Sequence, residues 1–227
     1  MATTPKGRRI DYGRLIMVPG TAVMLTLDLA SLARHGGAAG VLRTSGVVAV
    51  CAFYALIIWC YLRRGPAVAT SRSFTAHLAA VVATLCPFAF PLAAAASEGT
   101  AQQLAADLLV LVGTTWSVWS MRFLGRNLSV LAQARDVVDR GPYRWVRHPL
   151  YAGEIVASLG LAIAAGSAAA AALWLSLCAL QSYRALREEQ VLLRTLPGYR
   201  DYRARTAALV PMPRVLTFVP RGLPRSR

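Results

Sequence analysis

TSGVVAVCAFYALIIWCYL, residues 44 to 62, contains no charged side chain. A helix rises about 1.5 Å per residue, so a run of this length crosses a hydrocarbon layer of about 30 Å, whereas a helix on a soluble domain keeps one polar face. Reading outward, the pattern repeats. LIMVPGTAVMLTLDLASLA (15–33) carries Asp28 as its only charge, AHLAAVVATLCPFAFPLAAAA (76–96) follows, and LAADLLVLVGTTWSVWSM (104–121) carries only Asp107. A hydrophobic content of 56% and a mean hydropathy of +0.47 over 227 residues, concentrated in such blocks, indicate a membrane protein.

A further apolar block runs from Ile155 to Leu180, too long for one ordinary crossing. Gly166-Ser167 sits where a turn splits it into a shorter and a longer helix, giving a hairpin and six membrane helices; one long tilted helix with a flexible Gly-Ser point is the alternative. The expected fold is therefore all-α: a polytopic membrane bundle with a C-terminal helical hairpin and polar loops at its ends. Its expected divisions are four N-terminal helices (1–121), a core (122–213) and a basic, proline-rich tail (214–227).

Lys6, Arg8 and Arg9 precede the first block and Ser31-Leu32-Ala33 resembles a cleavage site, but the block's length and Asp28 favour an uncleaved anchor. Basic residues crowd the N-terminus, the second loop (Arg63, Arg64, Arg72) and the region after Met121, which places both termini in the cytoplasm. The same bias accounts for the net charge of +15: sixteen arginines follow Met121, on the face that meets anionic headgroups, and no nucleic-acid-binding signature is present. Cys51, Cys60, Cys86 and Cys178 lie inside apolar blocks without metal-ligand spacing, so neither a metal site nor a disulfide framework is expected.

The stretch that does not belong in this pattern is GPYRWVRHPLYAGE, residues 141 to 154. Asp139-Arg140-Gly141-Pro142 is a turn signature, and His148-Pro149 is a second break, because proline suits a first helical turn while the residue before it avoids helix. The segment reads as a folded loop that ends by starting a helix, whose free N–H groups favour an anion. Tyr143, Trp145 and Tyr151 fit either an aromatic anchor at headgroup depth or the wall of a binding site. Further on, SYRALREEQVLL holds Arg184, Glu188 and Glu189; Arg184 and Glu188 share a helix face, as an ordinary ion pair or as part of a site. A hairpin beginning near Tyr151 returns Arg184 to the same membrane face, beside the RHP loop.

From about Asn127 to Pro213, the order GPYRWVRHPLYAG, hairpin, EE pair and YRDY resembles the isoprenylcysteine carboxyl methyltransferases and their bacterial relatives, a group similar to the phospholipid N-methyltransferases. The resemblance implies S-adenosylmethionine as cofactor, contacted by Val137, Val138, Tyr143, His148, Pro149, Leu150, Tyr151 and Glu188. It also implies that Arg184 faces the acceptor, so that Arg184 and Glu188 are the expected catalytic pair. The family often has a Phe-Gly turn after the EE pair, where this chain reads LPGYRDY, one residue shorter.

Two acceptor chemistries follow. Carboxyl O-methylation of an amphipathic or isoprenoid-type acceptor is the expected reaction, since a carboxylate is already ionised and needs only a cation to position it, a task that suits arginine; the alternative is N-methylation of a phospholipid amine or S-methylation of a thiol, which must lose a proton, with Glu188, Glu189 or His148 as candidate bases. The expected partners are a lipophilic or prenylated acceptor and membrane lipid, with no nucleic acid and no metal. A non-catalytic lipid-binding protein explains the aromatics and arginines but not the paired motifs. A transporter calls for midplane polar residues, whereas Asp28 and Asp107 lie nearer the outer ends.

Overall fold

The computed structural model describes residues 12–35, 40–63, 69–70, 73–95, 99–128, 133–134 and 137–210. The first basic cluster, Arg64, Arg72 and the tail from residue 211 lie outside the described residues. Helices α1 (Tyr12–His35), α2 (Val41–Arg63), α3 (Phe74–Leu85) and α4 (Thr100–Leu124) form the first part of the bundle. Helices α5 (Pro149–Ala165), α6 (Ala168–Thr195) and the short α7 (Tyr199–Arg205) complete it. Among the described residues one antiparallel pair lies beside them, β1 (Ala69–Thr70) with β2 (Gln133–Ala134), in the register Ala69 to Ala134.

The architecture is an all-α membrane bundle. Val41–Arg63, Phe74–Ala93 and Thr100–Leu124 are each long and apolar enough to cross a bilayer, and Met17–Ala30 and Pro149–Ala165 are shorter apolar helices. The third block does not stay α-helical. After Leu85 it tightens into a 3₁₀ helix, Cys86–Ala93, because Pro87 and Pro91 lack the N–H that an α-helix needs at those positions. Large side chains such as Leu92 (89% exposed) and Val41 (85%) lie on the outside of the bundle, a surface that suits lipid rather than water.

The long apolar block is a hairpin. Gly166 ends α5 in the left-handed region (φ 62°), and Ser167 caps α6 by accepting from the Ala170 amide at 3.0 Å. Ser167 Oγ also donates to the Ala93 carbonyl, and Gln102 Nε2 donates to the Ile163 carbonyl at 2.6 Å, so the turn is fixed to the 3₁₀ segment and to α4.

Helices α4 and α5 pack backbone to backbone through small residues. A Cβ built on Gly113 would lie 2.3 Å from the Ala157 nitrogen, one on Gly153 2.3 Å from Ser117 Oγ, and one on Gly160 2.6 Å from the Ala106 carbonyl oxygen. Such contact is the usual way for helices to associate where water offers no hydrophobic drive. It fixes the height of α5, and thereby the loop that precedes it.

Candidate active site

At the end of the bundle opposite the hairpin turn, residues 141–148 fold into a compact loop. Gly141 has φ 61°, and the Phe123 ring occupies the space a side chain would need, 2.7 Å from where a Cβ would lie. Gly141–Arg144 forms one 3₁₀ turn, and α5 begins at Pro149 with His148 as its preceding residue. The two aromatic roles separate here. Trp145, 54% exposed, stacks on Trp116 at 6.3 Å and packs near Trp119, as a headgroup-level cluster; Tyr143 and Tyr151 are buried.

The loop is tied to the C-terminal part of the chain. Val146 bridges Ala207 in parallel, the Arg147 and His148 amides donate to the carbonyls of Ala207 (2.8 Å) and Ala208 (3.0 Å), and Tyr202 Oη donates to the Tyr143 carbonyl at 2.7 Å. Glu189 is the centre of this lock. Its Oε1 accepts from Arg147 Nε at 2.7 Å and lies 3.1 Å from His148 Nε2, and its Oε2 lies 3.1 Å from Arg203 Nε. Since a carboxylate only accepts, Nε2 carries the histidine proton toward Glu189. Burial alone would raise the Glu189 carboxyl, but the hydrogen bonds from His148 and Arg147 and their charges outweigh it and pull the group down to about 2. The Arg147 guanidinium also donates to the carbonyls of Arg203 and Thr206. Glu189, one of the candidate bases, is therefore committed to holding the loop: at about 2 and 4% exposed, it is poorly suited to take a proton from an acceptor.

Glu188 points elsewhere. Tyr151 Oη donates to its Oε2 at 3.0 Å, and His148 Nδ1 lies 3.8 Å from the same oxygen while the imidazole stacks parallel to the Tyr151 ring at 5.5 Å. Arg184 lies over the other part of this assembly, its guanidinium 4.8 Å from the Tyr151 ring centre. Arg184 Nη1 donates to Gln181 Oε1 at 2.9 Å, and Gln181 Nε2 donates to Glu154 Oε2 at 2.5 Å. Arg184 and Glu188 thus share a helix face and meet the same tyrosine, one at its ring and the other at its hydroxyl.

Two cavities lie near this assembly, one lined by Tyr151 and the other by its partner Glu188. One, of about 50 Å³, is lined by Val137, Val138, Tyr143, His148 and Glu188 together with Arg147, Tyr199 and Tyr202. The other, of about 270 Å³, lies among the helices and is lined by Leu150, Tyr151 and Arg184 as well as Tyr61, Glu154 and Gln181. The residues expected at the site thus divide between the two cavities, and His148, Arg184 and Glu188 among them meet Tyr151; Pro149 lines neither cavity, and its carbonyl accepts from Trp116 Nε1 at 2.8 Å. Burial raises the Tyr199 and Tyr202 phenols, and the Tyr199 hydroxyl is buried without a hydrogen-bond partner among the described residues.

Arg147, Tyr199, Gln181 and Glu154 were not singled out from sequence. Arg147 and Tyr199 were visible only as members of the RHP and YRDY motifs, without a role of their own, and Gln181 carries no sequence signal that separates it from an ordinary helix residue. Glu154 does: it is one of four glutamates, and it stands inside an apolar helix, where an ionisable group is costly.

Residues 101–197 match the model of the phospholipid methyltransferase family. Over 103 residues the chain is 32% identical to the nickel-cobalt-cadmium resistance protein NccN of Alcaligenes xylosoxydans xylosoxydans, a stretch covering 45% of this chain and 46% of that relative. The chain thus spans about half the length of the curated relative it matches. Among the described residues, no group of three His, Cys, Asp or Glu side chains is arranged to hold a metal ion.

Proposed function

We propose that this protein is an integral membrane methyltransferase that uses S-adenosylmethionine and acts on a lipophilic acceptor. The observation that carries this reading is the pair of cavities connected through the Tyr151–Glu188 hydrogen bond, one lined by the polar loop and Glu188 and the other lined by Tyr151 and the membrane helices. In this reading residues 122–213 form the catalytic core and the first four helices wall the acceptor cavity. The loop charges support a cytoplasmic position for both termini and the site.

The residues around the smaller cavity fit the cofactor. Glu188 offers a carboxylate to an ammonium group, Val137 and Val138 offer apolar contact to an adenine, and the orphaned Tyr199 hydroxyl offers a polar atom in need of a partner. At about 50 Å³ the space is well below the roughly 300 Å³ of a typical small-molecule pocket, so donor entry requires its walls to separate. When bound, the cofactor supplies an electrophilic methyl group on a sulfonium sulfur. The chain's contribution is alignment and exclusion of water: Arg184 at the Tyr151 ring and Glu188 at its hydroxyl hold that side chain in place at the edge of the inner cavity.

Arg184 at the inner cavity supports a carboxylate acceptor of isoprenoid or fatty type, and hence carboxyl O-methylation. The family match and the carboxylate of Glu154 in the same cavity support a lipid amine instead. Thiol methylation has no observation of its own. Equilibrium binding of labelled S-adenosylmethionine to the purified full chain tests the shared part of the reading. His148→Ala and Glu188→Gln should each weaken it by about 1–3 kcal/mol, the range for losing a hydrogen bond to a charged group. Unchanged affinity in both folded variants would leave the loop as a headgroup anchor. Arg184→Ala should preserve donor affinity while turnover on a carboxylate lipid falls at least about tenfold, because such an acceptor loses its cationic partner.

A further inference from the structure

Helix α5 carries Glu154 one turn beyond Tyr151, and the side chain lines two cavities at once. One is the inner cavity of about 270 Å³ that ends on Tyr151 and Arg184. The second, about 490 Å³, lies farther along the bundle toward the hairpin turn, with Val47, Val50 and Leu161 among its apolar walls and Asp28, Arg43 and Asp107 among its charged ones. Besides Glu154 the two share Phe53, Tyr54, Pro87 and Phe88, so they stack end to end with the carboxylate at their junction.

A carboxylate among membrane helices is costly unless it is paired and hydrogen-bonded. Gln181 donates one hydrogen bond to it and passes the influence of Arg184 across its amide, so that Glu154, Gln181 and Arg184 form one polar row. That row carries both signs of charge. An anionic head placed against Arg184 would share the guanidinium with Glu154 and bring a second negative charge beside it in a low-dielectric space, where like charges repel strongly. A head that donates hydrogen bonds meets the opposite situation: it adds a partner to Glu154 and leaves the row intact.

We infer that Glu154 is the specificity-determining residue of the acceptor site, and that it selects a lipid whose reacting head bears a proton, an amine or a phenolic hydroxyl, over one bearing a carboxylate. The inference rests on the methyltransferase reading and names its acceptor class. Glu154 takes the proton that the head must lose. For a primary ammonium, that proton passes to the Glu154 carboxylate, the freed nitrogen lone pair forms the new N–C bond, and the S–C bond breaks with its electron pair kept by sulfur. The products are the N-methyl ammonium and S-adenosylhomocysteine, and Glu154 returns its proton to water. The tail of such a lipid lies in the farther cavity.

The test uses the full chain in nanodiscs with hexadecylamine, an alkylphenol of similar chain length, and hexadecanoate. In Glu154→Gln the amide oxygen still accepts from Gln181, so the fold is preserved. Wild type should methylate the amine or the phenol, the two arms telling them apart. Glu154→Gln should lose about 100-fold or more of that turnover, the usual contribution of a positioned base, with donor affinity unchanged. Binding of the three lipids without donor is measured in parallel: wild type should hold hexadecylamine at least about tenfold more tightly than Glu154→Gln does, with hexadecanoate showing the reverse order. Equal retention by the two proteins overturns the inference whether or not a methyl group is transferred. Methylation of hexadecanoate by wild type, undiminished in Glu154→Gln, also overturns it while leaving the methyltransferase reading in place. Failure of wild type to bind S-adenosylmethionine would sink that reading instead.

Discussion

Glu189→Ala should destabilise the folded protein by about 3–5 kcal/mol, the range for removing one partner of a buried ion pair. The loss is large because one carboxylate serves three cationic or proton-bearing groups. Arg147 and His148 both reach Oε1 and Arg203 reaches Oε2, so alanine leaves a buried guanidinium and an imidazole beside one another with no anion between them. Glu189→Gln keeps one acceptor oxygen but not the charge, and should fall between alanine and wild type. The pH dependence has a fixed sign. The carboxyl is held at about 2 in the folded protein against an ordinary value of 4.5, so its contribution is fully present above about 4.5 and is lost as the pH falls toward 2. Thermal unfolding in detergent at a series of pH values checks both parts. A variant as stable as wild type at neutral pH, or one whose deficit does not shrink between pH 4.5 and 2, would show that the lock carries no such energy.

Gly153→Leu should disrupt the bundle by about 3 kcal/mol or more, at or beyond the upper end of what overpacking usually costs. Even the first carbon of the new side chain would lie 2.3 Å from Ser117 Oγ and 2.7 Å from the Gly113 carbonyl oxygen, and backbone atoms have no rotamer into which to retreat. Helices α4 and α5 would have to part along their length, because Gly113 and Gly160 make equally close approaches above and below. Gly20 provides the control: nothing lies within 4 Å of a Cβ there, so Gly20→Ala should be nearly neutral. Monodispersity and melting temperature in detergent distinguish the two outcomes, and a Gly153→Leu protein that melts like wild type would mean the helices are not in this contact.

Sequence and structure agree where a residue's backbone chemistry dictates the local path. Gly166-Ser167 reads as a turn because glycine reaches the left-handed region and serine caps the next helix, and Pro149 reads as a helix start because proline has no N–H to lose there. Proline also marks the third block, where Pro87 and Pro91 turn an expected membrane α-helix into a 3₁₀ segment over its second part. What sequence does not reveal is which polar residues share a partner across the chain. The EE pair looks like two equivalent carboxylates, yet Glu189 turns toward Arg147 and Arg203 while Glu188 turns toward Tyr151; adjacent residues lie about 100° apart on a helix, and only the packed loop decides which direction is occupied. The close contact of α4 and α5 is hidden for a related reason: Gly113, Gly153 and Gly160 look like any others among seventeen glycines until the helices are set side by side.

The pairing of Val146, Arg147 and His148 with residues 207 and 208 has a consequence for biosynthesis. Chains emerge from the ribosome N-terminus first, and α1 to α6 all precede the segment that fastens the loop. A nascent chain with every membrane helix inserted still lacks the Thr206 carbonyl that holds Arg147 and the Tyr202 hydroxyl that holds Tyr143. The pocket lined by His148 and Glu188 is therefore assembled last, so that a stalled or prematurely terminated product would sit in the bilayer with its helices placed and this pocket unformed.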